Sequence, residues 1–238
     1  MSIKIEIHRT GALGNSHRES INHIVSKSFE APGGAEPVVA HYCRSLTHVA
    51  LAIEENNIVG FQFFSKRAVK QLPIVHFSMA ARMKSYSGLQ RVIGRQILNH
   101  CVGPQQFVLK FGAVGVCNHP ATYHNMGQLG GSIFPNVHMP GTPCFDRQLY
   151  LQLVTDLGLQ SIDIETGIIE NRASNVGLKM LPVARLRDGS VAREFGEYVN
   201  FNLNRGVLVL VVTNWPLVLC SAFIRTVGHL GKYRNNHE

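Results

Sequence analysis

Apolar positions along the chain fall into short runs separated by polar turns, and the spacing within each run predicts a strand or a helix. Residues 73–83 are mostly apolar, residues 84–88 form a polar break with one glycine, and residues 89–101 carry apolar side chains at helical spacing. The expected core face of this helix is Leu89, Val92, Ile93 and Ile97. The pattern therefore predicts a strand that feeds a helix through a tight turn.

The turn before this helix has properties of an anion-binding site. The first N–H groups of a helix have no partner within the helix, and the helix dipole places partial positive charge behind them. Gly88 lacks a Cβ, which would let a phosphate approach the backbone and would permit a positive φ. An ordinary strand–loop–helix connection has the same local pattern, so the turn alone leaves both interpretations open.

The first third of the chain predicts an edge strand, a helix and a hairpin. Residues 3–8 alternate apolar and charged side chains, and residues 16–31 have helical spacing. Residues 47–54 and 58–65 read as strands on either side of a polar turn. The second of these strands contains the run Phe61, Phe63 and Phe64, which is expected to be core.

The middle of the chain predicts a second strand–helix unit. Residues 107–116 read as a strand, and residues 118–131 read as a helix with Asn118 as its N-cap and Pro120 in its first turn. A short strand is expected over residues 132–137. A further helix is expected over residues 145–157.

The clearest strand in the sequence lies near the C-terminus. Residues 206–212 form a β-branched run bounded by glycine, which indicates burial on both faces. The apolar run continues to residue 223 and approaches transmembrane length. The pair Thr213 and Asn214, followed by Pro216, favours a strand, a cap and a helix instead, because these polar groups would lack partners in hydrocarbon. No membrane span is therefore expected.

Composition indicates an ordinary globular protein of one domain. The 238 residues are 45% hydrophobic and 16% charged, which is enough to bury a sizeable core. Five scattered cysteines without a Cys-x-x-Cys pair favour reduced thiols in the cytoplasm. The N-terminal residues have no apolar core of signal-peptide length, so a cytoplasmic location is expected.

The charge of the chain predicts a polyanionic partner. The net charge is +8 and the pI is about 9.5, which fits a phosphorylated cofactor, an acidic carrier protein, nucleic acid or a membrane surface. Nucleic acid is not favoured because no cluster interleaves Lys or Arg with aromatic residues. Twelve histidines are present, but none has metal-ligand spacing, so no metal is expected.

The polar turn resembles the pyrophosphate loop of the GNAT superfamily of acyl-CoA-dependent N-acyltransferases, usually (Gln/Arg)-x-x-Gly-x-(Gly/Ala). Residues 85–90 read Ser-Tyr-Ser-Gly-Leu-Gln, so Gly88 matches while Ser85 and Gln90 depart from the pattern. GNAT proteins also carry Asn-x-x-Ala at the next strand–helix junction, with a glycine near the helix end. That pattern is matched by Asn118, Ala121 and Gly130.

The resemblance covers roughly residues 3–137 and implies an α/β fold with a mixed, mostly antiparallel central sheet flanked by helices. It divides the chain into an acyl-CoA-binding core, residues 1–145, and a C-terminal part, residues 146–238, which packs on the core and completes the same sheet. The cofactor-binding residues that it implies are Met79, Ala80, Ser85, Tyr86, Ser87, Gly88, Leu89, Gln90 and Asn118.

The resemblance also implies transfer of an acyl group from acetyl-CoA, or a longer acyl-CoA, to a primary amine or amino acid. The family tyrosine that protonates the departing thiolate would fall at Asn125, so Tyr123, two residues earlier, is the candidate acid. The two central strands carry no Asp or Glu, which leaves His76 or water as the base. An acidic acyl carrier protein as donor, a non-catalytic acyl-CoA-binding module and a homodimer stay open.

Overall fold

The computed structural model describes residues 3–30, 33–103, 110–170, 179–180, 189–199 and 205–220. Its strands are β1 (Lys4–Arg9), β2 (Phe29–Glu30), β3 (His48–Glu54), β4 (Asn57–Val69), β5 (Leu72–Arg82), β6 (Phe111–Cys117), β7 (Ser132–Phe134), β8 (Ile168–Ile169), β9 (Lys179–Met180) and β10 (Gly206–Thr213). Its α-helices are α1 (Asn15–Ser28), α2 (Ala35–Ser45), α3 (Leu89–Val102), α4 (Pro120–Gly127), α5 (Arg147–Asp156) and α6 (Gly189–Val199).

The main sheet has eight strands, in the order β1-β3-β4-β5-β6-β10-β7 with β8 added beside β10. All of its pairs are antiparallel except β5 with β6. β2 and β9 form a separate two-stranded sheet. The strand order and directions confirm the predicted α/β fold with a mixed, mostly antiparallel sheet flanked by helices.

Helices cover both faces of the sheet. Buried residues of α3, α4 and α6 form one core cluster with side chains of the sheet. Buried residues of α1 and α2 form a second cluster, and α5 contributes to a third. Phe61 and Phe63 belong to the α1–α2 cluster and Phe64 to the α3 cluster, so the predicted core role of this run is confirmed.

One predicted core position on α3 is wrong. Leu89, Ile93 and Ile97 are buried, as expected, but Val92 is 51% exposed. Residues four apart keep to one stripe of a helix, whereas Val92 lies one residue, about 100°, away from Ile93. Cys101 continues the buried stripe at the end of the helix.

β10 is a central strand, as its composition predicts. It pairs with β6 on one side and with β7 and β8 on the other, and every one of its residues except Val212 is buried. Residues 215–220 then continue as a helix, whose start is capped by Asn214 Oδ1 accepting from the Leu217 N–H at 3.0 Å. Residues 221–223 and the rest of the predicted helix lie outside the described residues. Within the described residues, no helix is both long and apolar enough to cross a bilayer.

We expect Leu208→Ala to destabilise the protein by about 2–5 kcal/mol, because a fully buried leucine on the central strand leaves a cavity when it is truncated. Leu217→Ala is the matched control: its side chain is 43% exposed, so a change within about 0.5 kcal/mol is expected. Urea unfolding measures both values. Equal losses at the two positions would contradict the central placement of β10.

Candidate functional site

The parallel pair of strands separates before either strand ends. β5 and β6 are in register from Ile74–Gly112 to Phe77–Gly115, after which β5 runs on to Arg82. A Cβ at Gly115 would lie 3.1 Å from the carbonyl oxygen of Phe77, so the glycine permits close approach at the last pair. Beyond this pair, no described strand takes the place of β6 beside β5. The result is a gap at the C-terminal edge of the two strands.

Met79 and Ala80, two of the predicted cofactor-binding residues, lie on the part of β5 beside this gap. β5 continues directly into the polar loop of residues 83–88, which leads to α3. The gap and the predicted loop are thus neighbours in the chain.

Gly88 is the N-cap of α3 and has left-handed backbone angles, φ 79° and ψ −8°. Arg91 N–H donates to the Gly88 carbonyl at 3.0 Å, while no side chain caps the helix. Among the described residues, the N–H groups of Ser85, Ser87 and Gly88 have no acceptor. A Cβ built at Gly88 would meet no atom within 4 Å, so the backbone here faces open space.

Two side chains hold the loop in shape. Arg82 Nη1 donates to the carbonyls of Met83 and Lys84, at 3.1 and 3.0 Å. The Tyr86 hydroxyl donates to the carboxylate of Glu54 at the end of β3, and this hydrogen bond raises the pKa of Tyr86. Tyr86 therefore anchors the loop with its side chain, and its backbone N–H is engaged as well, because it donates to the Met83 carbonyl at 3.2 Å.

The Gln90 side chain points towards the sheet. Its Nε2 donates to the Phe61 carbonyl at 3.3 Å, and its Oε1 is buried without a hydrogen-bond partner. Its neighbour Leu89 packs over Gly60, where an added Cβ would lie only 2.8 Å from Leu89 Cδ2. Gly60 thus lets the first turn of α3 lie close to β4.

Tyr123 is placed as a packing residue. Its side chain is 2% exposed, and its hydroxyl donates to the Pro135 carbonyl and accepts from the Val137 N–H, both at 3.1 Å. Burial raises the pKa of this hydroxyl. This geometry fixes the segment after β7, and it does not favour proton delivery to a ligand.

His76 lies on β5, in register with Ser65 of β4 and Val114 of β6. It is half-buried and is the residue before Phe77, the last residue that pairs with β6. Its placement near the gap is compatible with its predicted role as the base, which stays a prediction.

The predicted N-cap of α4 is wrong by one residue. The cap is His119, whose Nδ1 accepts from the Ala121 N–H at 3.0 Å, and α4 begins at Pro120. Asn118 lies exposed in the turn between β6 and the cap, near the C-terminal edge of β6. Proline is favoured as the first residue of a helix, where its missing N–H would have no helical partner. This preference explains why α4 begins at Pro120 and why its cap is His119. Burial lowers the pKa of His119.

The sequence patterns did not predict the contact between two polar residues that lie near the end of β7. His138, after β7, forms a hydrogen bond through its Nδ1 with the carboxylate of Glu194 of α6, 56 residues further along the chain. No local motif links the two positions, since α6 meets this loop only through tertiary packing. Among the described residues, no group of three or more His, Cys, Asp or Glu side chains could hold a metal ion.

No family model and no curated protein matches the chain. Comparison with solved structures returns GNAT-family acetyltransferases. An Escherichia coli GNAT family N-acetyltransferase in complex with CoA is 21% identical, with a TM-score of 0.39 over 53% of this chain and 69% of that chain. An IAA acetyltransferase from Bacillus cereus is 13% identical, with a TM-score of 0.39 over 89% of this chain and 100% of that chain.

A further match is a GNAT family acetyltransferase from Elizabethkingia anophelis with acetyl-CoA bound. It is 13% identical, with a TM-score of 0.37 over 89% of this chain and 97% of that chain.

We expect Tyr123→Phe to lower the free energy of unfolding by about 1–3 kcal/mol, because it leaves a buried N–H and a buried carbonyl without their partner. Tyr198→Phe is the control, since its half-buried hydroxyl makes a single bond to Thr166 O and solvent can replace it. Chemical denaturation compares the two. Unchanged stability of Tyr123→Phe together with reduced turnover would instead support the predicted acid.

We expect the stability of the protein to fall from pH 7 to pH 5, in part through His119. Burial lowers its folded-state pKa below the unfolded value of about 6.5, so the unfolded chain binds the proton more tightly. The contribution of His119 is present above the unfolded pKa and is lost as the pH falls through the folded pKa. Protonated Nδ1 also cannot accept from the Ala121 N–H.

His119→Asn keeps a capping oxygen that does not titrate, so its stability should fall less over this range than that of the wild type. His23→Asn, on an exposed position of α1, is the control and should follow the wild-type curve. Thermal unfolding at several pH values measures the difference. Parallel curves for wild type and His119→Asn would rule out the His119 contribution.

Proposed function

We propose that this protein is an N-acyltransferase of the GNAT type, which moves an acyl group from acetyl-CoA or a longer acyl-CoA to a primary amine or amino acid. The observation that carries the proposal is the junction of two features: the gap beside β5 opens directly into a loop with free N–H groups at a helix start. The gap would bind the extended arm of the cofactor, and the loop would bind its phosphates.

The loop suits the pyrophosphate of the cofactor. The N–H groups of Ser85, Ser87 and Gly88 have no acceptor among the described residues, and a Cβ at Gly88 would meet no atom within 4 Å. The dipole of α3 favours negative charge there. Lys84 and Arg91 are exposed on either side of these groups and add positive charge. The backbone of Leu89 and Gln90 completes the first turn.

The gap suits the amide-containing arm of the cofactor. Past Phe77, β5 has an edge without a ladder partner among the described strands, and an extended ligand can satisfy such an edge as an added strand. Met79 and Ala80 supply that edge. The thioester would then lie at the separation of β5 from β6, within reach of an acceptor that enters beside Asn118.

The chemistry consists mainly of placing an amine against the thioester carbonyl. His76 or water is the proposed base, because His76 lies on β5 one residue before the end of its pairing with β6 and has an imidazole that can accept a proton. Tyr123 as acid would first have to release two hydrogen bonds. A water molecule that protonates the departing thiolate needs no such rearrangement.

A second donor, an acidic acyl carrier protein, is favoured by one surface. Met83 and Val92 are 41% and 51% exposed beside the loop, and Arg91 and Arg95 flank Val92 on the same side of α3. We name Met83, Arg91, Val92 and Arg95 the α3 patch. A mixed apolar and basic surface fits an acidic helix that presents a carrier-bound acyl chain. A non-catalytic acyl-CoA-binding module would bind the donor without turnover.

Gly88→Val should weaken CoA binding at least tenfold. The substitution places a β-branched side chain where φ is 79° and where the loop faces open space. Gly94→Ala is the control, because Gly94 is helical and an added Cβ there meets nothing within 4 Å. Calorimetry with folded proteins gives the affinities. Unchanged affinity in Gly88→Val would remove the loop from the site.

The double substitution Arg91→Glu with Arg95→Glu separates the two donors. Charge reversal on the α3 patch should reduce turnover with an acyl carrier protein more than tenfold, because like charges then face each other. Turnover with acyl-CoA should fall less, since the loop N–H groups remain. Equal losses with both donors would argue against a carrier-protein surface.

A further inference from the structure

His138 and Glu194 form a dyad in which the carboxylate orients the imidazole. Glu194 Oε2 contacts His138 Nδ1. A carboxylate at Nδ1 fixes the hydrogen on that nitrogen, so that Nε2 of the neutral ring is a proton acceptor. Nε2 has no partner among the described residues, and the His138 side chain is 49% exposed. The acceptor nitrogen is therefore available to a ligand.

The segment that carries His138 is held in place by tertiary contacts. The His138 backbone N–H donates to Asn136 Oδ1 at 3.1 Å, and the neighbouring Val137 N–H donates to the buried Tyr123 hydroxyl. The rings of His138 and Tyr123 meet edge to face, with centroids 6.5 Å apart. The imidazole thus lies on a segment that is fixed both to α4 and to α6.

His138 lies between two cavities of about 410 and 390 Å³. The titratable groups that face it are Glu194, Glu197 and Tyr198 from α6 and Tyr123 and His124 from α4. Two of these groups, Glu194 and Glu197, are carboxylates. The cavities therefore favour a cation, although the chain as a whole carries a net charge of +8.

The dyad lies at the same edge of the sheet as the gap. Leu210 of β10 is in register with Val114 of β6 and with Phe134 of β7, so Phe134 is level with the residue before Gly115. β6 and β7 run in the same direction, because both are antiparallel to β10. The chain after Phe134 leaves the sheet where β5 and β6 separate, about 10 Å from β6 across one intervening strand.

We propose that these cavities are the acceptor site for a cationic primary amine and that His138 Nε2 is the group that takes its first proton. This inference rests on the proposed function, names the acceptor class, and assigns the role of base to His138 in place of His76 or water. The amine gives one proton to Nε2, and its nitrogen then forms a C–N bond with the thioester carbonyl carbon. The C–S bond breaks, a water molecule protonates the thiolate and takes up the second proton of the nitrogen, and the proton on His138 passes to solvent.

Binding is tested on the full-length protein, without any donor, using 1,4-diaminobutane as the probe. The ring resonances of ¹⁵N-labelled histidines should show a selective change at His138 on titration with the diamine, and an equal concentration of sodium chloride should produce none. Glu194→Gln should weaken this response at least fivefold, because it removes the charge that attracts the ammonium. No selective response of His138 would overturn the proposal.

Proton transfer is tested by thiol release from acetyl-CoA with 1,4-diaminobutane between pH 6.5 and 9.5. His138→Gln should lower kcat at pH 7 by about 10²–10⁴-fold. Its rate should then climb as solvent deprotonates the amine at higher pH, until it approaches the wild-type rate. His23→Gln, an exposed histidine of α1, should behave as wild type.

A merely structural dyad gives a different result. In that case His138→Gln loses thermal stability or CoA affinity, and its activity falls by the same factor at every pH, which overturns the proposal. Calorimetry with CoA distinguishes failure of the proposed acyl-donor site from failure of the proposed amine site. Failure of the wild type to bind CoA while His138 still responds to the diamine refutes the acyl-donor site and leaves the amine site supported.

Discussion

The short parallel pairing of β5 with β6 is the constraint on which the site depends. Their ladder ends at Phe77 and Gly115, yet β5 continues for a further five residues and remains in the sheet through its pairing with β4. A backbone edge left without a partner costs free energy unless water or a ligand satisfies it. The gap is stable because β4 and β10 support the two strands from their outer sides.

β10 gives that support on one side. It is buried on both faces and pairs with β6 from Val207 to Thr213, so β6 stays in the sheet after it leaves β5. The same strand carries β7 on its other edge, and register with β10 brings the segment after Phe134 level with the gap. One apolar strand therefore positions both the proposed donor site and the proposed acceptor site.

The two proposed sites differ in the charge of the groups that line them. The loop before α3 combines free N–H groups with Lys84 and Arg91, which favours phosphate, whereas the cavities beside His138 expose the carboxylates of Glu194 and Glu197. An anionic donor and a cationic acceptor would each be attracted to one side of the same sheet edge. The local charges would therefore raise the concentration of each substrate at its own site and disfavour its binding at the other site.

The sequence alone determined the long strands of the main sheet, the loop before α3 and most of the helices that flank the sheet, because periodicity and turn chemistry are local. The β-branched run of β10, the glycine before α3 and the proline at the start of α4 each specify a backbone conformation within a few residues. Side-chain direction was decided by tertiary structure. Tyr123 turns towards Pro135, and His138 meets Glu194 only because two distant segments of the chain pack at one edge of the sheet.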